Sequence, residues 1–267
     1  MNPPLMKAPH MKPIPTWSAL LLAASCGCAL ANPKTTTVDF SGDNHGWEGL
    51  QGMTSGGTAV DNLISPTNAL HSSLENQILS FATKDANFTG NYGSSKSVTI
   101  SLDVYSRDVL YGWEGQVTRP LMVELRDFDT PPAGHDYSSV WYYLGDLDAS
   151  KPMQHFSVTI DNTKSKGLPP GWRGYGVFTE DHVPELPSDR TFKNILASVD
   201  EMVFSTALPN VVSDFVYFDV ALDNIHISAV PEPSQTMMLG AGLGLLALLA
   251  RRRLAWSKCM RRQSSMI

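Results

Sequence analysis

Cysteine is rare in this sequence of 267 residues. Its three cysteines are Cys26, Cys28 and Cys259. None lies between Asn32 and Val230. A disulfide scaffold and a thiol nucleophile are therefore excluded for that stretch. Its stability has to come from an ordinary hydrophobic core or from bound metal.

Basic residues are scarce in the same stretch. Of the 20 Lys and Arg residues only 12 fall in residues 32–230, against 25 of the 26 Asp and Glu residues, so the formal charge of this stretch is −13. Nucleic-acid binding needs a basic stripe that neutralises phosphates. We therefore expect no nucleic-acid partner.

Helical periodicity is also rare, and polar and apolar residues alternate instead. Residues 97–104 alternate in this way, which puts Val98, Ile100 and Leu102 on one face of a strand. The pattern predicts an all-β fold, a single antiparallel β-sandwich (jelly roll) over residues 32–229. Similar strand patterns occupy residues 77–82, 121–128, 139–144, 155–160, 202–205 and 214–227.

One short helix is predicted within this β-sandwich. Ser188 is placed to cap it, and Asp189 in the first turn complements the helix dipole. Phe192, Ile195 and Leu196 then share one face, as a helix requires. In a strand, Phe192 and Ile195 would lie on opposite faces.

The N-terminal residues resemble an export signal in their composition. Lys7 and Lys12 supply positive charge ahead of the apolar residues 19–24. Ala29 and Ala31 then form a small-x-small cleavage site. We predict a signal peptide over residues 1–31, cleaved after Ala31.

The C-terminal residues combine a short motif, an apolar run and a basic cluster. The apolar run, residues 237–250, has fourteen uncharged residues and would form a helix of about 21 Å. The hydrocarbon core of a bilayer is roughly 30 Å thick, so this helix spans it only if the bilayer thins or flanking residues contribute. The arginines mark the cytoplasmic side, which places the body outside and residues 258–267 in a basic cytoplasmic tail. The three features are Pro231-Glu232-Pro233, residues 237–250 and Arg251-Arg252-Arg253.

Residues 230–257 resemble the PEP-CTERM sorting signal of Gram-negative bacteria that produce extracellular polysaccharide. In that family an exosortase, which is a membrane transpeptidase, recognises the three parts and cuts near the motif. The resemblance implies that Pro231, Glu232 and Pro233, together with the three arginines, direct processing. It also implies that an exosortase and the membrane are partners of this chain.

The body resembles laminin B-type domains. Residues 191–204, followed by residues 218–227 with the sequence Leu222-Asp223-Asn224-Ile225, are similar to the end of such a domain, and residues 88–92 are similar to its opening. Other jelly-roll modules share these motifs, including carbohydrate-binding ones. The resemblance implies a concave β-sandwich in an extracellular adhesive or matrix setting, and it transfers no binding site.

Paired carboxylates for glycoside hydrolysis are the first candidate chemistry. Glu124, Asp127 and Asp129 lie close together on a predicted strand. Strand alternation puts Asp127 and Asp129 on one face and Glu124 on the other, so Glu124 does not pair with them. We expect no catalytic residue and no enzyme, and a jelly-roll polysaccharide hydrolase is the alternative.

Calcium is the candidate metal. The histidines show no HxH, HxxxH or HExxH spacing, so zinc is not indicated. Carboxylate oxygens, which calcium prefers, are abundant, and jelly-roll modules often bind calcium between their first and last strands. The expected ligands are Asp39 on the opening strand, Asp43 after it and Asp219 on the closing strand. Ordinary surface carboxylates are the alternative.

A Gly-Trp-Glu-Gly sequence occurs twice and suggests a sugar-binding surface. It contains Trp47 with Glu48, and Trp113 with Glu114. The ring covers the apolar face of a pyranose and the carboxylate accepts hydroxyl hydrogen bonds. Packing in the core is the alternative for both, and we assign Trp141 to the core or to a strand face.

These features predict an exported, non-enzymatic protein of the cell envelope or surface. An exosortase would sort it from an inner-membrane intermediate, and its body would bind extracellular polysaccharide. A surface polysaccharide hydrolase and a purely structural biofilm-matrix protein are the alternatives.

Overall fold

A computed structural model describes residues 34–49, 56–211 and 214–232, and the isolated positions 243, 244 and 246. The signal peptide, both of its cleavage residues, Pro233, the three arginines and most of the predicted membrane helix lie outside these residues. Of the two units into which the chain divides, the second, residues 31–234, contains all of the described residues except 243, 244 and 246. No helix within the described residues is long and apolar enough to cross a bilayer.

The second unit is built from strands, as the alternating patterns predict. One α-helix, α1 (Phe192–Ala197), and two 3-10 turns, Tyr92–Ser94 and Gly112–Glu114, accompany the strands in the described residues. The strands are β1 (Lys34–Val38), β2 (Glu48–Gly49), β3 (Gly56–Asp61), β4 (Ala69–Asn76), β5 (Ser80–Thr83), β6 (Ser95–Tyr111), β7 (Gly115–Gln116), β8 (Arg119–Asp127), β9 (Ser138–Leu147), β10 (Met153–Ile160), β11 (Trp172–Tyr175), β12 (Val177–Phe178), β13 (Pro184–Glu185), β14 (Glu201–Ser205) and β15 (Val216–Pro231).

Two large antiparallel sheets form the sandwich. The seven-stranded sheet has the order β10-β6-β15-β4-β3, with β1 added beside β15 and β7 beside β6. The six-stranded sheet has the order β11-β9-β8-β14-β5-β2, and β12 pairs with β13 separately. The predicted all-β jelly-roll sandwich is confirmed.

The core lies between the two sheets. Val98, Ile100 and Leu102 of β6 are at most 1% exposed, as the alternation along residues 97–104 predicts. From the six-stranded sheet, Val123 and Leu125 of β8 join the same apolar cluster. Each strand therefore turns alternate residues inward, and its other residues form the outer face of its sheet.

Helix α1 begins three residues later than the position of the predicted cap implies. Thr191, not Ser188, is the N-cap, and its hydroxyl oxygen accepts a hydrogen bond from the Asn194 amide at 3.2 Å. Asp189 therefore precedes the helix, and its predicted place in the first turn is wrong. The predicted inward face is right, because Phe192, Ile195 and Leu196 are all buried.

Trp47 is a core residue. A turn with positive φ at His45 and Gly46 directs the chain inward, and the Trp47 amide donates to the Asn44 carbonyl at 3.0 Å. The side chain is 0% exposed and stacks on Phe204 with ring centroids 5.3 Å apart. The expectation that Trp47 covers a sugar is therefore wrong, and Gly46 serves a tight turn.

We expect Trp47→Ala to lower the free energy of unfolding by about 3–5 kcal/mol, because it leaves a cavity beside Phe204. Urea unfolding followed by circular dichroism measures this. The adjacent Glu48 is exposed, so Glu48→Ala is the control and should stay within about 0.5 kcal/mol of wild type. Equal unfolding midpoints for the two variants would contradict the core position.

Candidate functional site

The outer face of the six-stranded sheet carries a continuous set of polar and aromatic side chains. Val123 and Leu125 of β8 face the core, so Glu124 and Arg126 face outward. Strand register extends this face across the sheet. Trp141 of β9 pairs with Glu124, Glu201 of β14 with Arg126, and Arg173 of β11 with Trp141.

Arg126 lies at the centre of this face and binds two carboxylates. Its Nε and Nη2 donate to Glu124 Oε2 at 2.9 and 2.7 Å, and its Nη1 donates to Glu201 Oε2 at 2.9 Å. Ser139 Oγ donates to Glu124 Oε1 at 2.6 Å. Burial alone would lower the pKa of Arg126, but Glu124 and Glu201 outweigh it and hold that pKa above its usual range.

One tyrosine ring covers the guanidinium, and a second packs against the first. The ring centroid of Tyr137 lies 4.6 Å from Arg126 Cζ, a cation–π contact, and 5.1 Å from the Tyr175 ring. The Tyr175 hydroxyl accepts a hydrogen bond from Asn210 Nδ2 at 3.0 Å. Burial raises the pKa of Tyr137, so its hydroxyl remains a neutral hydrogen-bonding group.

A cavity of about 230 Å³ opens on this face. Glu124 and Arg126 line it from the sheet, and the segment that leaves β14 lines it with Pro209 and Asn210. Enclosed small-molecule pockets usually measure roughly 300–1,000 Å³. The cavity therefore suits one part of a longer ligand lying across the sheet better than a whole small molecule.

Trp141 and Tyr143 lie two residues apart on β9, so both belong to the outer face. Tyr143 is 46% exposed, and Trp141 is half-buried. The buried Trp141 Nε1 has no hydrogen-bond acceptor among the described residues. Arg173 of β11 is exposed and pairs with Trp141 of β9. An aromatic surface with the exposed Arg173 guanidinium beside a polar cavity suits a polyhydroxylated ligand.

The two Gly-Trp-Glu-Gly copies occupy different sheets. Glu48 is exposed on β2, an edge strand of the six-stranded sheet. Glu114 is exposed in the 3-10 turn Gly112–Glu114, between β6 and β7 of the seven-stranded sheet. The side chain of Trp113 lies outside the described residues. The structure therefore does not bring the copies together as one surface.

The three predicted calcium ligands also lie apart. Val38 pairs with Ile225, so Asp39 falls about five residues along β15 from Asp219, roughly 17 Å of strand. The Asp39 carboxylate accepts hydrogen bonds from Ser41, and Asp43 accepts one from the His45 amide. The prediction of a calcium site from Asp39, Asp43 and Asp219 is wrong.

Asp219 instead belongs to a buried charge network on the outer face of the seven-stranded sheet. His71 Nε2 lies 2.7 Å from Asp219 Oδ1, and His71 Nδ1 lies 2.9 Å from Asp61 Oδ2. Arg107 forms an ion pair with the other oxygen of Asp219. Burial alone would raise the pKa of Asp61, but the Leu63 amide and His71 outweigh it and lower that pKa. The network joins β3, β4, β6 and β15.

A different acidic cluster forms where β8 ends. Carboxylate oxygens of Asp127, Asp129 and Asp200 lie within 4.8 Å of one another. Arg190 binds Asp127, and Ser198 Oγ donates to Asp129 at 2.6 Å. Burial raises the pKa of Asp127 against the opposing effects of the Asp129 amide and Arg190. Glu124 faces outward, away from this cluster, as the alternation predicts.

We expect His71→Ala to cost about 3–5 kcal/mol of folding free energy, because it leaves the buried Asp219 carboxylate without one of its two side-chain partners, His71 and Arg107. His155→Ala is the matched control. His155 Nδ1 also lies 2.7 Å from a carboxylate, that of Asp103, but its side chain is 60% exposed. Its removal should cost under about 1 kcal/mol. Similar urea midpoints for the two variants would contradict a stabilising role for the network.

Distant structural neighbours are sugar-related proteins. Xylanase 10B modules of Clostridium thermocellum, complexed with xylohexaose, share 12% identity over 73% of this chain and 28% of theirs, with a TM-score of 0.41. An exo-β-agarase shares 14% identity over 73% of this chain and 25% of its own, with a TM-score of 0.40. This chain thus spans only about a quarter of each.

A smaller neighbour is covered almost fully. The family 30 carbohydrate-binding module of a Clostridium thermocellum cellulosomal cellulase shares 11% identity over 73% of this chain and 93% of its own, with a TM-score of 0.38. These similarities are too distant to assign a ligand to this chain. No curated protein matches the sequence.

The C-terminal motif is matched directly. The family model of the PEP-CTERM protein-sorting motif matches residues 229–253. This motif is typical of exported proteins that are sorted to the cell envelope or surface. The match begins within β15, so the β-sandwich continues into the sorting motif without a spacer.

Proposed function

We propose that this chain is an exported envelope protein whose body binds extracellular polysaccharide without cleaving it. An exosortase would process its tail. The match of residues 229–253 to the sorting motif carries the proposal for export and sorting. The outer face of the six-stranded sheet supports the proposal for binding.

The domain organisation follows from this proposal. Residues 1–31 are the signal peptide, residues 32–229 the β-sandwich and residues 230–257 the sorting signal. Within that signal, residues 237–250 form a membrane helix that holds the precursor in the inner membrane. Residues 258–267 form the basic cytoplasmic tail.

Polysaccharide suits the outer face for chemical reasons. A sugar ring has an apolar CH face, which the exposed ring of Tyr143 can cover, and a rim of hydroxyls. The exposed Arg173 guanidinium is a donor for those hydroxyls, and Glu124 in the cavity supplies acceptor oxygens. The open face accommodates a chain of sugars, while the small cavity holds one substituent.

The arrangement of acids argues against hydrolysis at this face. Glycoside hydrolysis needs one carboxyl group to donate a proton and another to attack or to activate water. Glu124 and Glu201 are both bound to the guanidinium of Arg126, so neither is placed as a proton donor. The rival function, polysaccharide hydrolysis, is an outcome of the binding test below.

We expect Tyr143→Ala to weaken polysaccharide retention about tenfold, because the exposed ring is lost. The measurement is affinity electrophoresis of the full-length protein in polysaccharide from the envelope of the producing cells. Tyr105→Ala is the matched control, since Tyr105 pairs with Ala221 on the outer face of the other sheet. Equal retention of both variants would place binding elsewhere. Release of reducing ends that Glu124→Gln abolishes would establish the hydrolase instead.

Sorting is tested separately by mass spectrometry of the protein recovered from the producing cells. We expect the surface form to lack residues after the Pro-Glu-Pro motif. Replacing Arg251, Arg252 and Arg253 by Ala should leave the chain intact in the inner membrane, because the basic cluster marks the end of the membrane helix. Wild-type surface protein that still ends at Ile267 would contradict exosortase processing.

A further inference from the structure

The first two residues of the Pro-Glu-Pro motif, Pro231 and Glu232, contact the β-sandwich. Strand β15 ends at Pro231, the first residue of Pro-Glu-Pro. Val230 pairs with Ser97 and, after a register shift, Pro231 pairs with Ser95, both on β6. The motif therefore begins inside the seven-stranded sheet.

The next residue of the motif is bound by the body. Glu232 Oε2 accepts a hydrogen bond from Lys164 Nζ at 2.6 Å, in an ion pair between residues 68 positions apart. The two side chains are 45% and 48% exposed. This pair fastens the chain directly beyond the end of β15.

The loop that carries Lys164 is itself fixed. The Thr163 side chain is 1% exposed, and its hydroxyl donates to the carbonyl of Ser95, the residue that pairs with Pro231. On the other side, the Lys193 amide of α1 donates to the Ser165 carbonyl at 3.0 Å. The loop is therefore already placed to receive Glu232.

Strand pairing and enzymatic recognition of the motif compete. An enzyme that binds an extended peptide uses the main-chain groups that a strand uses in a sheet. Ala229 pairs with Lys34 of β1 on one side and with Val98 of β6 on the other, whereas the described pairing of Val230 and Pro231 is with β6 alone. A strand end paired on one side frays most easily, and here the ion pair opposes fraying.

We propose that Lys164 is a positioning residue for sorting, which holds Glu232 against the body and so restricts access to the Pro-Glu-Pro motif. The processing enzyme then acts on the frayed end of β15, and the ion pair sets how often that end is open. The part that concerns processing rests on the proposed sorting function. The restraint on the end of β15 does not rest on the sorting function.

Hydrogen exchange tests the restraint without any enzyme. In the full-length protein in detergent, the last amides of β15, those of Ala229 and Val230, should exchange about two- to fivefold faster in Lys164→Glu than in wild type, as expected for loss of an exposed ion pair. Lys164→Arg should restore slow exchange. Salt at 1 M should speed exchange in wild type, since it screens the ion pair, and should not speed it in Lys164→Glu, where it screens a repulsion between two carboxylates instead. Unchanged exchange in Lys164→Glu would overturn the proposal.

Pulse labelling in the producing cells tests the consequence for sorting. The precursor should be shortened about two- to fivefold faster in Lys164→Glu than in wild type or Lys164→Arg. Lys166→Glu is the matched control, because Lys166 lies in the same loop, is exposed and has no acidic partner among the described residues. Equal rates for Lys164→Glu and wild type would overturn the role in sorting while leaving exosortase processing intact.

A covalent lock gives the opposite test. The variant Ser97→Cys with Val230→Cys places two thiols on paired residues, and the only other cysteines lie outside residues 32–230. The oxidised variant should be shortened more slowly than the same variant kept reduced, because the strand end no longer opens. Equal rates for both forms would overturn the proposal. If no form of the protein is shortened, the proposed sorting fails, and hydrogen exchange alone decides the role of Lys164.

Discussion

The pairing of β6 with β15 is the interaction on which the rest of the molecule depends. These are the longest strands, Ser95–Tyr111 and Val216–Pro231, and they pair side by side in the middle of the seven-stranded sheet. Alternate residues of β15 face opposite sides of the sheet. Val220 and Leu222 enter the core, Asp219 faces the buried charge network, and the end of the strand carries the start of the sorting motif.

Cysteine is absent from the body, so its stability depends on packing and on paired charges. The core includes large side chains that are fully buried, among them Trp47 and Phe204. Outside the core, the buried charges occur in networks. The Asp219 carboxylate contacts His71 and forms an ion pair with Arg107, and Arg126 forms ion pairs with two glutamates. A buried charge without such a partner would cost several kcal/mol, about half the stability of an ordinary domain.

Much of the fold was predictable because strand alternation is local. The pattern of residues 97–104 correctly placed Val98, Ile100 and Leu102 inside, and the inward face of α1 followed from its period. The outward face of β9 was harder to predict from the sequence. Residues 139–144 alternate, but only the pairing with β8 turns Trp141 and Tyr143 outward. The start of α1 was misplaced because Ser188 and Thr191 both suit an N-cap, and the fold decides between them.

The sequence alone determined the strand-rich class, the absence of cysteine from the body and the sorting motif, because each is written in consecutive residues. Tertiary structure decided which distant residues meet. The contacts of Arg126 with Glu201, His71 with Asp219, and Lys164 with Glu232 join positions 75, 148 and 68 apart. Two Gly-Trp-Glu-Gly copies look alike in sequence, yet Trp47 is in the core because a tight turn at Gly46 directs it between the sheets. The burial of a residue that follows a turn depends on what the rest of the chain places around it, and the four-residue pattern does not contain that information.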